Sequence, residues 1–128
     1  MDYTIKNLRQ VEDSAPKHGH SEVGEARFAN SELSAENTGL AYHVLRPNKR
    51  QAFAHRHDKA EEIYVVLSGS GRIKLDEDVV ELDTMDAVRL APSVVRALEA
   101  GPDGLELLAF GPRHEGDYEM TSIDEFWK

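Results

Sequence analysis

Three side chains within one short run could hold a metal ion: His55, His57 and Glu62, in His55-Arg56-His57-Asp58-Lys59-Ala60-Glu61-Glu62. Two neutral imidazoles and a carboxylate form a donor set for a divalent first-row cation such as Fe, Mn, Ni or Zn. Water or substrate oxygens would complete the shell, and the ion could polarise a bound oxygen or acidify a water. On an extended strand alternate side chains share a face, so His55 and His57 point the same way. Glu62 lies at an odd offset from His57 and would be about 17 Å from it on a continuous strand. Ligand atoms sit only about 2 Å from a metal, so the chain must reverse within residues 58–61. Beyond that reversal Glu62 shares a face with Tyr64 and Val66, whereas Glu61 shares one with Ile63, Val65 and Leu67. Glu62 is therefore the better ligand of the two acids. Taken alone, a His-x-His beside a polar turn reads as an exposed strand end rather than a metal site.

The elements that must position these residues read as short strands. Runs of β-branched, aromatic and aliphatic residues predict strands at Leu40–Leu45, Gln51–His57, Glu62–Leu67, Arg72–Leu75, Val79–Leu82, Ala87–Leu90, Val94–Leu98 and Leu105–Phe110. Breaks fall at Pro47-Asn48, 58–60, Ser68-Gly69-Ser70-Gly71, 76–78, Asp83, Pro92 and Gly101-Pro102-Asp103-Gly104. Strands recurring at about ten-residue spacing indicate an antiparallel sandwich or barrel. Residues 1–37 are polar and broken by Pro16, Gly19 and Gly24, with a weak helical stripe at Ile5, Leu8 and Val11. His18-Gly19-His20 within them reads as a solvated loop rather than a metal site. After Gly111-Pro112, Ser122-Ile123-Asp124-Glu125 has capping-box spacing for a short helix carrying Phe126 and Trp127. Aromatics at a chain end are expected to pack on the molecule's own barrel.

The spacing His55-x-His57-x4-Glu62-x6-Gly69 resembles the first motif of the cupins in all but its opening glycine, where Lys49 stands. Glu62-Ile-Tyr-Val-Val-Leu-Ser-Gly69-Ser-Gly71 is similar to the strand that follows in that family, and 15 residues separate Gly69 from Met85. The second motif is worn. Met85 replaces its first glycine, Ala91-Pro92-Ser93 its P-x-G turn, Arg96 its histidine and Ala100 its asparagine. The resemblance covers residues 40–111. It implies an all-β, double-stranded β-helix (cupin or jelly-roll) barrel over residues 38–112, with a 1–37 N-terminal arm and a 113–128 C-terminal tail. It also implies metal ligation by His55, His57 and Glu62, and a homodimer formed through outer strands or terminal segments.

Arginine stays protonated and donates without accepting, so Arg96 cannot stand in for a neutral imidazole. It could pair with Glu62 in a metal-free polar network. It could instead hold an anionic ligand group while three residues keep the metal, a task a guanidinium fork suits. It could also point outward toward Glu99. His43, on a face with Ala41 and Leu45, and Tyr64 are further candidates for lining a ligand pocket. Two functions follow: a metal-binding pocket for a small anionic molecule, of oxygenase, isomerase or lyase type, or a metal-free small-molecule binder with an Arg96–Glu62 pair. No catalytic residue is assigned by the sequence.

The 128-residue chain is of single-domain size and carries a formal charge of −9. Such a charge disfavours nucleic acid and anionic membranes as partners. Absence of cysteine excludes thiolate ligands, disulfides and cysteine nucleophiles. No apolar run reaches the length of a membrane span, and the N-terminus lacks an apolar signal core, so cytoplasmic residence is expected.

Overall fold

The computed structural model describes residues 2–114 and 116–128. Eight strands form one curled antiparallel sheet: β1 (Gly24–Phe28), β2 (Thr38–Leu45), β3 (Phe53–His57), β4 (Glu62–Leu75), β5 (Asp78–Leu82), β6 (Ala87–Leu90), β7 (Arg96–Pro112) and β8 (Tyr118–Ser122). A short helix, α1 (Ile123–Phe126), follows. The sheet runs β1-β2-β7-β3-β8, while β4 pairs with β7 and also with β5 and β6. This is the jelly-roll arrangement that the motif spacing implies. No helix among the described residues is long and apolar enough to cross a membrane.

β4 and β7 are the frame. Each is read from the sequence as two strands split by a glycine-rich break, yet each runs through as one. Their pairing shifts register between Val66 and Ser68 and again between Gly69 and Gly71, so the breaks act as bulges. A bulge bends a strand and sharpens its twist without ending it. Gly69 shows why the site is glycine: its φ is +79°, and a Cβ there would lie 2.1 Å from the Gly104 carbonyl oxygen. Beyond the bulges, alternation holds. Tyr64, Val66, Ile73, Leu98, Ala100, Leu105 and Leu107 face inward and are buried together. Glu62 stands on the same face of β4 as Tyr64 and Val66, as parity requires.

Two strands went unread because they are polar. β1 lies within the stretch read as an N-terminal arm and pairs with β2, Ala26 opposite His43. β8 lies within the tail and pairs with β3, Met120 opposite His55 and Tyr118 opposite His57. All five residues of β8 are exposed. An edge strand without a buried face shows no clean alternation for a sequence reading to detect. On its outer side Glu119 pairs with Arg56 of β3.

The chain end packs on the molecule itself. Ser122 precedes α1, although its side chain makes no capping hydrogen bond. Arg50 lies over the Trp127 ring at 4.5 Å and Arg72 at 5.4 Å. Lys74, itself buried, donates to the Phe126 carbonyl and sits 4.8 Å from the Phe126 ring. These are cation–π contacts that anchor a short helix too small to stand alone. His18 ends a 3-10 turn (Pro16–His18) and Gly19 follows at φ +74°, so His18-Gly19-His20 is not an extended strand.

Candidate metal centre

The end of β3, a tight reversal and the first residue of β4 build the site. His55 and His57 project inward from β3, and the reversal over 58–61 returns the chain so that Glu62 opens β4. The His57 amide donates to the Pro92 carbonyl at 2.8 Å, which ties the end of β3 to the turn before β7. Glu62 Oε1 then lies 3.1 Å from His57 Nε2 and 3.6 Å from His55 Nε2. One ligand atom from each of His55, His57 and Glu62 lies within 4.8 Å of the others. The imidazole planes cross almost at right angles, with centroids 5.1 Å apart. His57 Nε2 is buried yet has no aligned hydrogen-bond partner, so its contact with Glu62 is close but poorly directed.

Arg96 enters the same cluster. It stands opposite His55 where β3 meets β7 and is fully buried. Nη1 donates to the carbonyls of Val94 at 2.8 Å and Pro92 at 3.3 Å, and Nη2 donates to Glu62 Oε1. The outward alternative is not what forms: Glu99 is engaged instead by Arg50 at 2.7 Å and by Arg72 Nε at 2.9 Å. Arg96 Nε is buried without a partner.

Electrostatics favour the ligating forms of Glu62 and His55. Burial alone would raise Glu62, but the contacts with His55 and Arg96 and the charge of Arg96 outweigh it and hold the carboxyl near 2. Burial, aided by Arg96, pushes His55 down. His43 falls to about 4, chiefly through burial and then through its proximity to His55. Its ring packs edge-on against Phe28, 5.7 Å between centroids, and it stands outside the three-residue ligand group. Tyr64 is buried beside the site, its phenol pushed up by burial and by the Glu62 charge.

Asp117 is a site residue that sequence reasoning does not select. Its backbone carbonyl lies 2.9 Å from His57 Nδ1. With Nδ1 as the donor, Nε2 carries the lone pair and faces Glu62. The Asp117 carboxylate accepts from the backbone amides of Asp58 and Lys59 through Oδ1 at 2.9 Å each, and from Ala60 through Oδ2 at 2.9 Å. Burial opposes ionisation of this carboxyl, yet the three amides hold it below its usual range. One residue of the tail thereby orients a candidate ligand and pins the reversal that brings Glu62 back. An acidic residue 60 positions after His57 has no short motif to betray it. A shallow concavity of about 380 Å³ lined by Asp58, Lys59, His114, Gly116 and Asp117 lies outside this turn.

The chain folds like several solved structures. A cupin protein from Bacteroides fragilis superimposes with a TM-score of 0.72 at 23% identity, covering 91% of this chain and 88% of that one. A putative sugar phosphate isomerase from Acidithiobacillus ferrooxidans gives 0.66 at 18% identity, with 81% and 79% covered. Oxalate decarboxylase from Bacillus subtilis gives 0.72 at 19% identity over 97% of this chain. The chain spans 34% of the length of that enzyme. No family model matches the sequence, and no curated protein matches it either. At these identities the likeness establishes the fold: the chain is a cupin barrel. Its site is a His-His-Glu group able to hold a metal, with an arginine where a histidine would complete the motif.

Proposed function

We propose that this protein is a small single-domain cupin that binds a divalent cation through His55, His57 and Glu62 and takes a small anionic molecule beside it. The observation that carries this reading is the convergence of three ligand atoms within 4.8 Å around a buried His57 Nε2 that lacks an aligned partner. The donor set of two imidazoles and an ionised Glu62 carboxylate fits a divalent first-row ion. When bound, such a cation would act as a Lewis acid on an oxygen of the bound molecule. The chain's own residues do the positioning. Asp117 directs the His57 lone pair inward, and Arg96, held by two backbone carbonyls, fixes Glu62 by its second nitrogen. Arg96 also adds positive charge where an anion would bind. That charge repels a dication, so the site should hold metal less tightly than one with a third imidazole as fourth ligand.

A second reading is favoured by the Arg96–Glu62 contact itself: a metal-free barrel in which that pair replaces the ion and a small molecule binds without catalysis. Elemental analysis of protein purified without chelators separates the two, with His57→Ala beside it. Stoichiometric Fe, Mn, Ni or Zn that disappears in the variant supports the metal site. No metal in either protein, together with no rise in melting temperature on adding manganese(II), would sink it.

A further inference from the structure

The face that carries the histidines continues into an apolar wall. Phe53 shares the inward face of β3 with His55 and His57, since the three stand at alternate positions. Residues opposite each other in an antiparallel pair also share a face, which places Met120 beside His55 and Tyr118 beside His57. Phe53 is 38% exposed, Met120 57% and Tyr118 58%. The Phe53 ring meets His55 edge-on, with centroids 6.3 Å apart. Across the sheet Phe28, 57% exposed, packs edge-on against His43. Large apolar side chains thus stand wet along one side of a cluster whose buried His57 Nε2 and Arg96 Nε lack partners. An apolar wall converging on a few placed polar groups is the usual composition of a small-molecule site, and contiguous exposed apolar surface ordinarily marks something to be covered.

We infer that the ligand is an amphipathic carboxylate whose head lies at the His55–His57–Glu62 cluster and whose apolar body covers Phe53, Met120 and Tyr118. This rests on the metal-binding reading. Glu62 and Arg96 cancel in formal charge and metal-bound imidazoles are uncharged ligands, so a bound dication leaves a local excess of +2, which an anionic oxygen donor complements. A molecule polar along its whole length would satisfy the head but leave the wall in water. A second copy of the chain laid on the wall would cover it but supply no small anion to the cluster.

Calorimetric titration of the manganese(II)-loaded full-length protein with acetate, hexanoate, octanoate and octanol tests this. Octanoate is expected to bind at least roughly tenfold more tightly than acetate and than octanol. Met120→Ser and Tyr118→Ala should each remove about three- to tenfold of the octanoate affinity while leaving acetate binding unchanged. Both side chains are exposed, so the melting temperature serves as the control for folding. Affinity that does not rise with chain length, or that survives in both variants, overturns the inference. A manganese titration is run separately. Absent manganese binding with the chain-length dependence intact overturns the metal reading alone, and bound manganese with a flat series overturns the amphipathic ligand alone. Light scattering that shows a dimer dissociated by Met120→Lys would make the wall a contact between copies and also overturns the inference.

Discussion

Asp117 spends both ends of its polar inventory on the site: its carbonyl on His57 Nδ1 and its carboxylate on the amides of Asp58, Lys59 and Ala60. Asp117→Ala keeps the first contact and removes the second, so the reversal between His57 and Glu62 loses its acceptor. The expected cost is about 2 kcal/mol of stability, the usual penalty for stranding hydrogen-bonded amides that water can partly reach. Loosening of the turn should also weaken manganese(II) binding by about 10- to 100-fold, the range for groups that orient metal ligands. Calorimetry beside urea unfolding separates the two effects. Asp117→Asn, which retains one acceptor oxygen, should recover part of each. An affinity unchanged in Asp117→Ala would show that the turn holds Glu62 without this carboxylate.

Among the elements, the turn between β5 and β6 shows how a motif glycine can be lost without loss of the backbone it served. Met85 stands where the cupin pattern has glycine, and its φ is +73°, in the left-handed region. The amide of Met85 donates to the Val66 carbonyl at 2.8 Å, and the Asp83 amide donates to Asp86 Oδ2 at 2.7 Å. These bonds hold a methionine in a conformation that costs a residue with a Cβ about 1–2 kcal/mol. Met85 is 73% exposed, so little packing is at stake. Met85→Gly is therefore expected to raise stability by about 0.5–1 kcal/mol after the entropy of the more flexible unfolded chain is subtracted. A shift of the urea midpoint to higher concentration would show it. A midpoint moved down would mean that the Met85 side chain contributes contacts outweighing the strain. The strands themselves were legible from their alternation, as at Glu62–Leu67 and Ala87–Leu90. The bulges in β4 and β7 were not, because glycine signals a local bend and does not say whether pairing resumes beyond it.

For the molecule as a whole, acid should act in two windows. His43 titrates near 4 in the folded chain against 6.5 for an unperturbed histidine, so the unfolded chain binds its proton first. Stability is thus fully present above about pH 6.5 and erodes as the pH falls toward 4. Glu62, near 2 when folded against 4.5 ordinarily, adds a loss that begins below about pH 4.5 and runs toward 2. Urea midpoints measured at pH 7, 5 and 3 should fall in both intervals, and His43→Phe should flatten the upper one. A midpoint constant from pH 7 to 5 in the parent chain would contradict burial of neutral His43. The same whole-molecule view explains the tail. Residues 118–127 add a strand beside β3 and a helix over Lys74, so the segment that supplies Asp117 is anchored at both ends.

The cupin barrel, the inward face of β4, the pairing of His55 with His57 and the choice of Glu62 over Glu61 were all determined by the sequence alone. The barrel was implied by the resemblance to the cupin motif, and the rest follows from period-two alternation and the short reversal between β3 and β4, which are local properties of the chain. What Arg96 does was decided only by tertiary structure. Its parity on β7 made an inward course possible, but pairing with His55 at the start of β7 and the carbonyls of Pro92 and Val94 chose Glu62 over Glu99. Asp117 and the apolar wall of Met120 and Tyr118 belong to the same class. They reach the histidines through an edge strand about sixty residues away in sequence, and such a contact exists only once the barrel has brought the two strands side by side.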